Sequence, residues 1–399
     1  MNKHEQHRIK QLGEYPFTRV RKLLDGLTPN PKLELIDAGA GEPRLPLPDF
    51  VQPILTEHLT GFSRYPTIIG NDFLRQAIAD WLKRRFSLRN IDANSQVLSA
   101  NGTREALFAA AHALINPECS TKPWVMMPNP MYQIYLGAAI TAGAKAYLQP
   151  CTADTGFAPD IEGIADEVWQ NTALVYVCSP SNPTGWVADE AYYTKLLTLA
   201  EKFNFYVLAD ECYSEIYYTH KPIGLLEVAQ TMGNVDYKRC LVMNSLSKRS
   251  ALPGLRSGLI AGDADLIALF AKFRSYTGPA TPLPLQHVAA AAWSDETHVQ
   301  RNLQVYRDSL DAFFDVYGGE VPHGSFFVWL AVDNEQEFVR RAYVEQAVKI
   351  LPGSYLATED AQGNNAGTGY IRAALVDGPA KAADLARRLK TCTSTTKAR

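Results

Sequence analysis

Polar and apolar positions along this chain alternate between two periods. Short apolar runs, "QVLSA", "PWVMMP", "TALVYVCSP", "FYVLAD", "KRCLVMNS" and "SGLIAG", are bounded by turn-forming residues. Such short apolar runs read as buried strands. Between them lie stretches with helical spacing, such as "ADEAYYTKLLTLAEKFN" and "REALFAAAHALI", the latter opening directly after "SANGT". Strands separated by helix-length segments predict βαβ units and a mainly parallel sheet. Beyond about Pro284 the pattern changes, and two long helical stretches flank "GSFFVWLAV", a strand of a second sheet. The expected plan is an α/β chain with a large lobe over residues 45–285 and a smaller α+β lobe from residues 1–44 and 286–399. A chain of 399 residues is too long for one core, which agrees with two lobes.

In open α/β sheets, ligands bind outside the carboxyl ends of the strands. The polar residues at those ends form a chemically coherent set. Asn182 follows "ALVYVCSP" in "SNPTG", and Asp210 and Tyr213 close "FYVLAD" and open "ECYSE". Ser245, Ser247 and Lys248 follow "CLVMN", with Arg256 eight residues after Lys248. Tyr132 follows "WVMMP", and "QVLSA" runs into "NGTRE", a turn that opens a helix at Thr103. Taken singly, "SNPTG" is a plain turn, Asp210 a helix cap and Tyr132 ordinary packing. Together and in order they describe a site for a phosphorylated cation. A helix N-terminus suits a phosphate. An arginine can grip the same group with two hydrogen bonds. A carboxylate at a buried strand end is costly without a cation. Lys248 is the nucleophile candidate, and a lysine Schiff base with an acidic partner for a pyridinium nitrogen is the pattern of pyridoxal 5′-phosphate.

Composition narrows the alternatives. The chain is 46% hydrophobic and 20% charged, with a formal net charge of -3. It carries no basic excess to attract a nucleic-acid backbone. No apolar run approaches bilayer-spanning length, so no membrane partner is expected. The opening "MNKHEQHRIK" is polar and lacks an apolar signal core, which predicts a cytoplasmic protein. Cysteines at 119, 151, 178, 212, 240 and 392 form no Cys-x-x-Cys pair, which argues against a disulfide framework and a zinc site.

The motifs resemble those of the class I pyridoxal-phosphate aminotransferases of the aspartate-aminotransferase fold (fold type I). The resemblance runs from "YPFTRVRKLL" to "YIRAALV" through "AGAGEPRLPLP", "SRYPTIIGNDFLRQAIADWL", "SPSNPTG", "DECY" and "SLSKRSALPGLRSG". One position departs: Ser257 stands where the family has an apolar residue, and a local packing adjustment is expected there. The resemblance implies that Lys248 carries the cofactor covalently through an aldimine and then shuttles the Cα proton. It implies that Asp210 pairs with the ring nitrogen, Tyr213 and Asn182 with the phenolic oxygen, and that Tyr132 stacks on the ring. Thr103, Arg104, Ser245, Ser247 and Arg256 would hold the phosphate, Thr103 and Arg104 through their backbone. Tyr65 would reach the phosphate of a neighbouring subunit, which implies a homodimer with shared active sites. Gly41, Asn182 and Arg372 would bind the substrate, Gly41 and Arg372 at its α-carboxylate. The partners are then amino acids and 2-oxo acids, exchanged in a ping-pong cycle.

The stretches "YPFTRVRKLLDGLTPN", "NDFLRQAIADWLKRRFSL" and "VLSANGTREALFAAAHALINP" further resemble the succinyldiaminopimelate aminotransferases of bacterial lysine biosynthesis. Arg44 would then suit a distal carboxylate, and the loop "SYTGPATPLPLQ" could close over the neighbouring subunit's site. An aspartate, aromatic or alanine aminotransferase and a Cβ–S lyase are the alternatives. A non-catalytic module like the aminotransferase-shaped effector domains of some bacterial regulators is disfavoured by the slightly negative net charge, and a structural role without a cofactor because it leaves Lys248 and Asp210 unexplained.

Overall fold

The structure is a computed structural model describing residues 7–119, 123–277 and 280–396. From the N-terminus run α1 (Pro16–Leu23), β1 (Ile36–Asp37), α2 (Val51–Glu57), α3 (Asp72–Phe86), β2 (Val97–Ala100), α4 (Thr103–Leu114), β3 (Trp124–Asn129), α5 (Ile134–Ala142) and β4 (Lys145–Pro150). Next come α6 (Asp166–Gln170), β5 (Thr172–Cys178), α7 (Glu190–Phe203), β6 (Tyr206–Asp210), α8 (Leu225–Thr231), β7 (Cys240–Ser245), α9 (Leu246–Arg249), β8 (Gly258–Gly262), α10 (Ala264–Thr277) and α11 (Leu283–Ser294). The chain ends with α12 (Thr297–Tyr317), β9 (Phe327–Ala331), α13 (Glu335–Gln346), β10 (Val348–Lys349), β11 (Leu351–Pro352), β12 (Tyr370–Ala374) and α14 (Pro379–Thr396).

The large lobe holds a seven-stranded sheet in the order β2-β8-β7-β6-β5-β3-β4. Strand β8 is antiparallel to both its neighbours, and the other contacts in the sheet are parallel. Six strands therefore point one way and β8 alone returns, so the ends of β2, β3, β5, β6 and β7 share one edge. The sheet is covered on both faces, as its continuously apolar strands require. Leu74, Ile78, Trp81, Leu196, Leu225 and Trp293 of α3, α7, α8 and α11 pack one face. Leu107, Tyr135, Ala139 and Phe270 of α4, α5 and α10 pack the other. Helix α7 starts where the sequence supplies a cap, Asp189 accepting from the Tyr192 backbone N–H at 2.8 Å.

In the smaller lobe, β9, β11 and β12 form an antiparallel sheet in the order β11-β12-β9, with "GSFFVWLAV" supplying β9. Strand β1 pairs in parallel with β10, which ties the N-terminal arm to this lobe. Val20, Phe313, Val339, Ile371 and Leu389 pack there as a separate core. The residue 285 limit expected for the large lobe falls in the first turn of α11, which packs on α2 and α3, so the chain crosses to the smaller lobe in α12. Between the lobes Cys212, Tyr213 and Ile216 pack against Tyr306, Phe326 and Phe327. No helix among the described residues is long and apolar enough to cross a membrane.

Candidate active site

A cavity of about 570 Å³ opens at the shared strand edge, walled by both lobes and the N-terminal arm. Its lining brings together Gly41, Thr103, Arg104, Tyr132, Asn182, Asp210, Tyr213, Ser245, Ser247, Lys248, Arg256 and Arg372. Two expected residues stand elsewhere. Tyr65 is fully exposed and lies outside this chain's cavity. Arg44 is spent on an ion pair, Nη1 reaching Asp377 Oδ2 at 2.8 Å and Nη2 the Asp37 carbonyl at 3.2 Å. That partner lies 333 residues along the chain, so its neutralising effect had no local signal. Of the loop "SYTGPATPLPLQ", Gly278 and Pro279 lie outside the described residues.

Lys248 sits on the single turn α9 at the end of β7. The loop from Leu246 to Ser257 must return to pair β8 with β7, and this carries Arg256 back beside Lys248. Leu246 N–H and Ser245 Oγ both donate to the Ser257 carbonyl, each at 3.1 Å, which pins the loop's two ends together. Ser257 is fully buried and its own Oγ has no partner among the described residues. Among the described residues, the Lys248 ammonium donates one hydrogen bond, to the Gly41 carbonyl. Burial lowers its pKa to about 8, with Arg372 adding to the shift and Cys212, Glu42 and Asp210 opposing it. A lysine so placed is an amine poised to act as nucleophile and base.

Asp210 ends β6 in full burial. Its Oδ2 accepts from Tyr135 Oη at 2.7 Å and its Oδ1 from the Cys212 N–H at 3.3 Å. Burial raises its pKa against these donors and Lys248, so this carboxylate would gain from a cationic partner. Tyr135 escaped the sequence reading because it lies inside the apolar run of α5. Its spacing of three from Tyr132 was the one available signal.

Helix α4 begins without a side-chain cap, Gly102 holding φ 82°. A Cβ at Gly102 would overlap the Arg256 guanidinium, so this glycine makes room for the arginine at the helix start. Among the described residues Arg256 meets only carbonyl oxygens, Pro253 and Asn101, both at 2.8 Å. Ser245 Oγ lies 2.9 Å from Ser247 Oγ beside it, within hydrogen-bonding distance. Free helix N–H groups, a guanidinium without an anion and two hydroxyls together form an anion cradle.

Arg372 lies on β12 and is buried. Nη1 donates to Asn182 Oδ1 at 2.8 Å and Nη2 to the Gly39 carbonyl at 2.7 Å, while Nε has no partner among the described residues. The guanidinium stacks 4.3 Å above the Phe327 ring, and burial depresses its pKa to about 10. Phe327 also fixes Gly41, since a Cβ there would overlap its ring. Tyr15 and Cys212 complete the wall and were missed, the first because it belongs to the distant arm. Cys212 Sγ lies 3.0 Å from Thr103 Oγ1. Among the described residues no group of three His, Cys, Asp or Glu could hold a metal ion.

The family model for aminotransferase classes I and II matches residues 34–381. The chain belongs to the class I and II aminotransferases. It is similar to the LL-diaminopimelate aminotransferase of Maridesulfovibrio salexigens, 29% identical over 381 residues, covering 92% of this chain and 94% of the relative. An aminotransferase structure from Neisseria meningitidis Z2491 superposes with a TM-score of 0.91 at 38% identity, covering 98% of this chain and 100% of the other. The aminotransferase AspB from Helicobacter pylori 26695 gives a TM-score of 0.89 at 34% identity, with coverage of 98% and 100%. The fold is thus the aspartate-aminotransferase fold expected from the motifs. Class I aminotransferases depend on pyridoxal phosphate, and the donor set described above suits it. It offers an anion cradle, a buried acid short of a cation and a half-buried lysine whose own hydrogen bond goes to a carbonyl.

Proposed function

We propose that this protein is a pyridoxal-phosphate transaminase that exchanges an amino group between an amino acid and a 2-oxo acid. One observation carries the reading. A half-buried amine, Lys248, and a buried guanidinium, Arg372, face one cavity and spend their hydrogen bonds on neutral oxygens. Substrate carboxylate and cofactor are what such a pair lacks. When bound, the cofactor supplies an electron sink for charge left at Cα. Asp210 would serve its ring nitrogen, Asn182 and Tyr213 its phenolic oxygen and Tyr132 its face. The N–H groups of Thr103 and Arg104, with Ser245, Ser247 and Arg256, would hold its phosphate. Lys248 would hold the cofactor covalently, and its amine, once released, would be the base that takes the Cα proton. Arg372 and Gly41 orient the α-carboxylate so that the Cα–H bond faces that amine. The active form is a homodimer in which Tyr65 serves the partner's site.

The substrate reading is a diaminopimelate derivative carrying an N-succinyl group, with glutamate and 2-oxoglutarate as the counter couple. Its support is the resemblance of the N-terminal stretches to succinyldiaminopimelate aminotransferases. The name of the M. salexigens relative favours free LL-diaminopimelate as the second reading. The test starts from the absorption spectrum of the purified protein. Glutamate should convert the yellow form to the pyridoxamine form, and Lys248→Ala should lose the reaction. Return of the yellow form with the succinylated oxo acid supports the first substrate, and turnover of free LL-diaminopimelate supports the second. Release of pyruvate and ammonia from cystathionine without an oxo acid would indicate a Cβ–S lyase. Protein that takes up no pyridoxal phosphate would overturn the reading.

A further inference from the structure

The side chain of Arg104 leaves the start of α4 and lies between two tyrosines. Nε donates to Tyr132 Oη at 2.7 Å and Nη2 to Tyr15 Oη at 3.1 Å. Its Cζ lies 5.7 Å from the Tyr15 ring centroid and 5.9 Å from that of Tyr132. Neither partner is an acid, and among the described residues Arg104 forms no ion pair. This contrasts with Arg44, whose charge Asp377 already answers. Tyr15, Tyr132, Arg104 and Gln133 line the active-site cavity. Tyr15 and Gln133 also line a second cavity of about 470 Å³, whose wall includes Leu12, Ile134, Leu136 and Ile140. The two spaces therefore adjoin at Tyr15 and Gln133, beside the Arg104 guanidinium. A small amino acid held at Arg372 needs neither the second space nor a second cation.

We propose that Arg104, held by Tyr15 and Tyr132, receives a second carboxylate at the far end of an extended amino-acid substrate. This deepens the transaminase reading above and rests on it. Two hydroxyls orient the guanidinium in advance, so a carboxylate can meet its remaining N–H groups without a search. A substrate with a neutral end leaves that cation unpaired and is discriminated against. Substrate length is accommodated by the space beyond Tyr15, whose wall carries Glu14 and Arg19 as well as the apolar residues.

The test compares N-succinyl-diaminopimelate with the same compound bearing a primary amide in place of the succinyl carboxyl. Both are assayed with the cofactor-loaded wild type, Arg104→Gln and Tyr15→Phe. Their affinities are also measured by calorimetry on a Lys248→Ala background, where turnover does not interfere. Loss of a charge-assisted contact predicts that wild type prefers the acid roughly 10- to 100-fold, mainly in KM and in affinity. Arg104→Gln should bring that preference close to one, and Tyr15→Phe, which removes only the hydroxyl of a half-buried arm residue, should reduce it in part. A preference unchanged in Arg104→Gln, with kcat lowered equally for both compounds, would overturn the assignment and leave Arg104 as a support for Tyr132. Glutamate conversion by wild type without turnover of either succinyl compound would overturn the substrate class and the assignment together.

Discussion

Among the described residues Arg372 has only neutral partners, an amide oxygen and a backbone carbonyl, and its Nε has none. Substitution by glutamine removes the charge and the fork while keeping an amide beside Asn182. A loss of roughly 100-fold in kcat/KM is expected for every α-amino acid substrate, shared among donors because the α-carboxylate is common to them. A loss confined to one donor would assign Arg372 to side-chain recognition instead. Glu211 offers a different single-residue test. It lies next to Asp210, is buried, and accepts from the Leu225 N–H at the start of α8 at 2.8 Å. Burial pushes its carboxyl up from the usual 4.5 to about 8, with Arg85 opposing. A raised folded-state pKa means that the folded chain keeps a proton the unfolded chain has released. Its stabilising contribution is full below about 4.5 and is lost as pH rises through about 8. Glu211→Gln retains the acceptor and removes the titration. Denaturant midpoints should therefore fall more steeply for wild type than for Glu211→Gln across that window. Parallel curves would mean that Glu211 does not hold the proton.

At the scale of elements, the start of α4 decides how firmly an anion is held. Gly102→Ala places a Cβ where the Arg256 guanidinium lies, at a φ of 82° that L side chains rarely adopt. The helix can survive this, but Arg256 must move. Cofactor affinity should fall at least about tenfold, as expected for one lost charge-assisted contact. Equilibrium dialysis of pyridoxal phosphate measures it, and wild-type affinity in the variant would remove Arg256 from the phosphate site. Elements of this kind were legible in the sequence because each functional residue follows an apolar run at a strand end. Asn182, Asp210 and Lys248 could be placed from that pattern alone. The reversed strand β8 was not legible, since "SGLIAG" is equally apolar in either direction and only the register Ser245 to Gly258 fixes it. Tyr135 and Tyr15 were hidden for another reason. Their roles depend on which distant segment they meet, Asp210 in one case and Arg104 in the other. Arg44 shows the converse, a promising arginine whose tertiary partner takes it out of the cavity.

The cavity of the single chain includes nearly every expected residue, yet Tyr65 points to solvent, in a surface region that also exposes Leu59 and Phe62. An exposed aromatic rim of this kind suits burial against a second copy, and an isologous pairing would give each site a Tyr65 from its neighbour. Sites shared in this way have a consequence that no single-chain site has. Lys248→Ala lacks the amine but supplies a sound Tyr65, whereas Tyr65→Ala lacks the phosphate contact but supplies a sound Lys248. A dimer of one subunit of each kind holds one doubly impaired site and one intact site. Random reassortment makes half the dimers mixed, so activity should recover to roughly a quarter of wild type after co-refolding or co-expression. The comparison is made at low cofactor concentration, where Tyr65→Ala alone is poorly loaded. Light scattering fixes the subunit number in the same samples. Recovery no greater than the sum of the two separate variants, in a sample shown to be dimeric, would mean that Tyr65 takes no part in the neighbouring site.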